Sequence, residues 1–325
     1  MPDADWNATS LSFRQQSKGG EVKQLDPAER QKLFEKLRQE LSAKPLPVLL
    51  LLVHGYNNNE EDATKAYENG FRDCQRRIAQ ERGNQPILDN RVVGEVFWPG
   101  DANWGLFSFL FYMGSIENAL QSSKELVNVL VQLCREIPQL KIEIVAHSMG
   151  CRLTLELLRQ MFWLYDRINC VVLMAAAVPT FKLENSNRGN LRSVIENVPV
   201  KSLYSNCDIV LSMAFPLGQT FAPGDEGILP VALGHNYWVD GNAYIEQKPV
   251  DKAGHSDYWG WNPKTMHIGM EANKLVRSML GQYEICPRTI GDRVTLVRRN
   301  CEDISGAESL RDPTRIIGDE LLIQY

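Results

Sequence analysis

Five short strand-like runs, the first continuously apolar and the others mostly so, alternate with stretches of helical periodicity and constrain this chain more than any other feature. They are Val48–Val53 (VLLLLV), residues 92–98, 142–146 and 170–176, and Val200–Tyr204. A strand with one wet face alternates apolar and polar residues, whereas a continuous apolar run is buried on both faces. The stretches between them read as helices. Residues 60–82 are charged. Ile116, Ala119, Leu120, Val127, Leu130 and Cys134 share one helical face, and residues 153–162 and 265–280 follow the same period. Strands buried on both sides and alternating with helices imply an α/β architecture, a mostly parallel, doubly wound sheet covered by helices on both faces. In such sheets ligands bind outside the C-terminal ends of the strands. Chemistry is therefore to be sought just after each run.

The rest of the chain narrows the function classes. Among 325 residues, 35 are basic and 40 acidic, a formal net charge of −5. Nucleic-acid binding would need clustered Lys and Arg, so no nucleic-acid partner is expected. The longest apolar run is of strand length, so no integral membrane segment is expected either. Seven cysteines without a CxxC pair, behind a first 20 residues lacking a signal-peptide pattern, fit reduced thiols in a cytoplasmic protein. Cys151 and Cys207 read as small packing residues. Residues 1–25 are polar and unpatterned and read as a loose arm. Asp26-Pro27-Ala28-Glu29 then carries a capping signature, and Leu33, Phe34, Leu37 and Leu41 follow at helical spacing. Residues 211–262 are rich in Gly, Pro and aromatics and read as a long irregular functional loop.

Two motifs carry chemistry. The third run ends in Ala146-His147-Ser148-Met149-Gly150. Small-x-Ser-x-small between a strand and a helix is the pattern of a nucleophile elbow, in which strand and helix come so close that the residues two before and two after the serine must be small. The helix behind Ser148 turns its positive end toward the hydroxyl. The alternative is a serine that caps an ordinary helix. The first run ends in Val53-His54-Gly55-Tyr56-Asn57. An acyl-transfer enzyme stabilises a tetrahedral oxyanion best with two convergent backbone N–H groups. Met149 would supply one and Tyr56 the other, with Gly55 allowing close approach. The alternative here is a tight turn that happens to contain His-Gly. No phosphate-binding glycine loop, HExxH or metal-ligand spacing is present, so neither cofactor nor metal is expected.

LLVHGYNN, FWPGD and IEIVAHSMG, in this order, resemble the α/β-hydrolase superfamily, and more narrowly a group of bacterial α/β-hydrolases of unknown specificity. The likeness covers residues 46–281. It leaves an N-terminal arm and helix over 1–45 and a tail over 282–325, within which Arg293–Arg299 reads as a strand. Ala146 stands where the superfamily usually has glycine. The resemblance implies the chain order nucleophile, acid, histidine. His54 and His147 lie upstream and support the motifs. His267 falls within a helix. His255, in a loop before the last helix, is the implied base, with His235 in reserve. Asp208, in Ser205-Asn206-Cys207-Asp208 after the fifth run, is the implied acid, and Asp240 and Asp251 are its rivals. A plain helix N-cap is the other reading of Asp208.

These residues imply a serine hydrolase acting on a small-molecule or lipid-like carboxylic ester. The same triad would also serve an amidase, thioesterase or acyltransferase. A non-catalytic binding protein on the same fold would instead leave His255 turned away from Ser148. Residues 104–113, crowded with large apolar side chains, and the stretch 211–262 are candidates for an acyl pocket or a lid.

Overall fold

The computed structural model describes residues 8–17, 20–56, 58–81, 91–101, 108–222, 227–241, 243–281, 284–290 and 293–299. Seven strands, β1 (Ala8–Ser12), β2 (Val48–Val53), β3 (Arg91–Phe97), β4 (Lys141–His147), β5 (Ile168–Met174), β6 (Val200–Tyr204) and β7 (Ile245–Pro249), form one sheet in the order β1-β3-β2-β4-β5-β6-β7. Every neighbouring pair is parallel. The apolar runs form the middle of the sheet: β2, β4 and β5 are buried along almost their whole length.

The helices fall into two packed groups. α1 (Pro27–Ser42), α4 (Ser108–Glu136), α5 (Met149–Gln160) and α6 (Arg192–Asn197) pack in series. On the other side, the segment made of α2 (Glu60–Thr64), a π-helical stretch (Lys65–Arg72) and α3 (Asp73–Glu81) packs against α8 (Met266–Gly281). The chain leaves β2 toward β3 on one side and returns past it to β4 on the other. Right-handed crossovers running in opposite directions put their helices on opposite faces. α1 begins as its capping residues dictate: Asp26 accepts from the Glu29 N–H at 2.8 Å and the Glu29 carboxylate reaches back to the Asp26 N–H.

Two expectations are corrected. Of the N-terminal arm, the described residues are not loose, because Ala8–Ser12 is an edge strand paired with β3, and Leu11 and Phe13 are fully buried. Its run has too few apolar residues to show by pattern, and it gains its stability from the neighbouring strand. The stretch 211–262 is not one irregular loop. It contains a π-helical turn (Val210–Ala214), α7 (Phe215–Thr220) and β7. β7 reads IEQKP and is buried only at its first residue, so as an edge strand it shows no apolar run. In the C-terminal region β8 (Glu284–Ile290) and β9 (Arg293–Arg299) form an antiparallel pair.

The topology already points to a site. β2 lies between β3, which follows it, and β4, which comes after that, so the switch point of the sheet is between β2 and β4. The crevice outside the strand ends at such a point is where α/β sheets bind ligands. The residues that emerge there are His54-Gly55 and Ser148.

Candidate active site

Ser148 lies in the turn from β4 into α5 with φ 54° and ψ −124°, a left-handed conformation that a side-chain-bearing residue holds only under constraint. That backbone lifts the hydroxyl off the sheet. The close approach explains two glycines. A Cβ on Gly150 would sit 2.3 Å from the His54 carbonyl oxygen, and one on Gly55 would sit 2.7 Å from the Ser148 Cβ. The β2 loop and the β4 turn are thus pressed together with no room for a methyl group between them. Met149 opens α5, where the first backbone N–H groups have no carbonyl to bond within the helix. Tyr56 follows Gly55 directly and is half-buried against the core.

The loops after β6 and β7 bring the other two residues. The Ser148 Oγ and His255 Nε2 are 2.8 Å apart, and His255 Nδ1 and Asp208 Oδ2 are also 2.8 Å apart. Asp208 is fully buried, and its second oxygen accepts the Leu211 N–H at 3.0 Å. It therefore both faces His255 and caps the helical turn behind it. With a carboxylate oxygen as the partner of Nδ1, the tautomer that donates from Nδ1 leaves Nε2 as an acceptor toward the serine hydroxyl.

The supporting histidines are neutral. His54 is fully buried, and burial lowers its pKa to about 4. Its Nε2 accepts the Trp98 N–H at 3.2 Å, so its proton lies on Nδ1, which donates to the Gly55 carbonyl at 2.9 Å. Its ring stacks on Trp98 with centroids 5.5 Å apart. His147 is buried and held at a pKa of about 3, by burial first and then by the neighbouring His255. Its Nε2 donates to the His255 backbone carbonyl at 2.7 Å. One imidazole next to the serine thus holds the loop that carries the other.

Sequence reasoning assigned no role to three further residues. Tyr67 bridges two strands, its hydroxyl accepting the His54 N–H and donating to the Val96 carbonyl, both at 2.7 Å. Asp257 accepts the Gly254 N–H at 2.8 Å and the Thr265 hydroxyl at 2.6 Å, fixing the loop around His255 from the other side. Buried Arg14 bonds the Trp98 carbonyl at 2.7 Å and pairs with Asp101. Trp98 and Asp101 stand inside the quoted FWPGD motif, but Asp257, Tyr67 and Arg14 gave no local signal.

The rival assignments lie elsewhere. Asp240 and Asp251 are exposed, and His267 is exposed on α8. His235 sits in the turn before the Trp238 segment with its Nδ1 buried and unpartnered. Cys151 is buried and its thiol donates to the Ala146 carbonyl at 3.3 Å. Cys207, expected to be a packing residue, is exposed. Residues 104–107 lie outside the described residues, so a pocket or lid there is not described. Among the described residues no group of three His, Cys, Asp or Glu could hold a metal, and no helix is long and apolar enough to cross a membrane.

Residues 29–214 match the family described as "alpha/beta hydrolase of unknown function (DUF900)". No match is found among curated proteins. Solved structures that resemble the chain include a hydrolase of Thermoplasma acidophilum predicted to be CIB-like, at 14% identity over 72% of this chain and 87% of that one, with a TM-score of 0.38. Others are Aspergillus fumigatus lipase B (12% identity, 72% of this chain, 53% of that one, TM-score 0.38) and Est1E of Butyrivibrio proteoclasticus with bound ferulic acid (12%, 70%, 87%, 0.36).

Proposed function

The chain belongs to this family of α/β hydrolases, and from that premise we propose that it is a serine hydrolase that cleaves carboxylic esters. The observation that carries the reading is the unbroken hydrogen-bonded line Ser148–His255–Asp208, 2.8 Å at each step, at the switch point of the sheet. In this reading His255 Nε2 takes the proton as Ser148 Oγ attacks the acyl carbonyl. Asp208 holds the ring in the required tautomer and stabilises the imidazolium. The backbone N–H groups of Met149 and Tyr56 receive the oxyanion, where fixed donors cost no reorganisation as charge develops. The imidazolium then protonates the leaving alcohol. Water, deprotonated by the same ring, releases the acyl group and restores the serine.

A non-catalytic role would leave His255 away from Ser148, and the 2.8 Å contact favours catalysis instead. An ester is proposed over an amide because its carbonyl is less resonance-stabilised. The groups named here then suffice without a further device for amine departure. The test is a matched set of ester, thioester and anilide with one acyl group. The ester is expected to lead the anilide by at least about tenfold in kcat/KM. Preference for the anilide or thioester, or no turnover of any by folded protein, would overturn the ester reading.

A further inference from the structure

The helical segment that begins immediately after Asp208 is turned inside out. Leu211, Phe215 and Gln219 face inward, while Ile209, Val210, Met213, Leu217 and Phe221 are exposed, several by more than 60%. Large apolar side chains on the outer face of a helix mark a surface that meets an apolar phase or a partner. The face continues beyond the helix, because the Leu229 N–H bonds the Thr220 hydroxyl at 2.8 Å and brings Ile228 (84% exposed) and Leu229 alongside.

Two features say what covers it. First, exposure this high means protruding side chains, a ridge and not a groove. A ridge of flexible aliphatic and aromatic groups sinks into a deformable apolar layer, whereas a folded partner must offer a matching cleft. Second, between Asp208 and Gln247 the chain has no Lys or Arg at all, although it has 35 overall. Anionic bilayers are held through such cations, each contributing near the surface. Arg188 comes to the edge of the face beside Gly227, with its guanidinium over the Phe181 ring, but the apolar residues of the ridge come from a stretch that supplies no cation of its own. Such a ridge is suited to a lipid surface without net charge. Its position adds a reason: Asp208, which bonds His255, also caps the first turn of the same segment, so the ridge is built on the element that starts at the Ser148–His255–Asp208 line.

We propose that the outer face of residues 209–221, with Ile228 and Leu229, is a docking surface for uncharged lipid layers. It would deliver ester lipids to the adjacent site. The docking stands independently of the hydrolase reading, and only the delivery rests on it. The test is flotation of the full chain with phosphatidylcholine vesicles, with and without added phosphatidylserine, using wild type, Ser148→Ala, Met213→Glu/Phe221→Glu and the milder Met213→Gln/Phe221→Gln. Wild type and Ser148→Ala are expected to float equally, with no gain from phosphatidylserine. The Glu pair is expected to lower the bound fraction at least fivefold and the Gln pair by a lesser amount, with hydrolysis of a water-soluble short ester unchanged within twofold. No flotation of wild type, or flotation only with the anionic lipid, overturns the proposal. So does a dimer in light scattering that the Glu pair splits, since a second copy would then cover the face. Flotation by a protein that hydrolyses no ester would sink the hydrolase reading and leave the docking surface standing.

Discussion

At the scale of single residues, the account depends on side chains that hold others in place. His147 is bonded covalently to Ser148 and through its ring to the His255 backbone carbonyl. The gap between nucleophile and base is therefore fixed from both ends, with Asp257 as the second anchor of the His255 loop. Small misplacements of such groups cost about a hundredfold in rate. His147→Leu is expected to lower kcat by about 10- to 100-fold with KM little changed. His147→Gln, which can still present an N–H to that carbonyl, is expected to recover most of the loss. A purely packing role for His147 would show equal losses in both variants, matched by their melting temperatures. Asp208→Asn is expected to fold, because an amide oxygen can still cap Leu211. It should lose about 10⁴ in kcat, as the wrong tautomer is then held at His255. Full activity in that variant would move the acid elsewhere. Ser148, Gly55 and Gly150 were legible in the sequence because their demands are local: a sharp turn and a close approach. His255 and Asp208 were chosen through resemblance, since nothing local sets them apart from His235 or Asp240.

At the scale of elements, what was legible followed burial. β2, β4 and β5 are covered on both faces and therefore show as mostly apolar runs. The capping box of α1 is written in four adjacent residues and forms as read. The two edges of the sheet did not show. β1 contributes only Leu11 and the adjoining Phe13 to the core, and β7 only its first residue. An edge strand has one neighbour and a wet side, so tertiary pairing decides it and not its own pattern. The N-terminal strand is nonetheless integral. Phe13→Ala is expected to destabilise the protein by about 3–5 kcal/mol, measured by urea unfolding. A loss under about 1 kcal/mol would mean that the strand is a detachable arm after all.

At the scale of the whole molecule, three buried titratable groups set how stability follows pH. His54 and His147 are kept neutral down to about 4 and about 3, against an ordinary value of 6.5. The unfolded chain therefore binds two more protons between these values, and stability falls as pH drops below 6.5. Glu95 acts in the opposite sense. Burial, with Glu68 beside it and only Arg72 opposing, raises its pKa from 4.5 to about 7. Between 4.5 and 6.5 the folded state holds a proton there that the unfolded state has lost. Two groups against one leave a net slope of roughly 1 kcal/mol of stability lost per pH unit on acidification in that window. Glu95→Gln removes the opposing group and should roughly double the slope. Urea midpoints at pH 5 and 6.5 for both proteins would check this, and an unchanged slope in the variant would contradict it.

The central claim, that Ser148 is an activated nucleophile, is tested most directly by incubating the folded protein with a fluorophosphonate and locating the adduct by mass spectrometry. The expected result is one adduct, on Ser148, absent in Ser148→Ala and formed far more slowly in Asp208→Asn. A folded wild-type protein that takes up no label, or takes it up on another residue, would contradict the account.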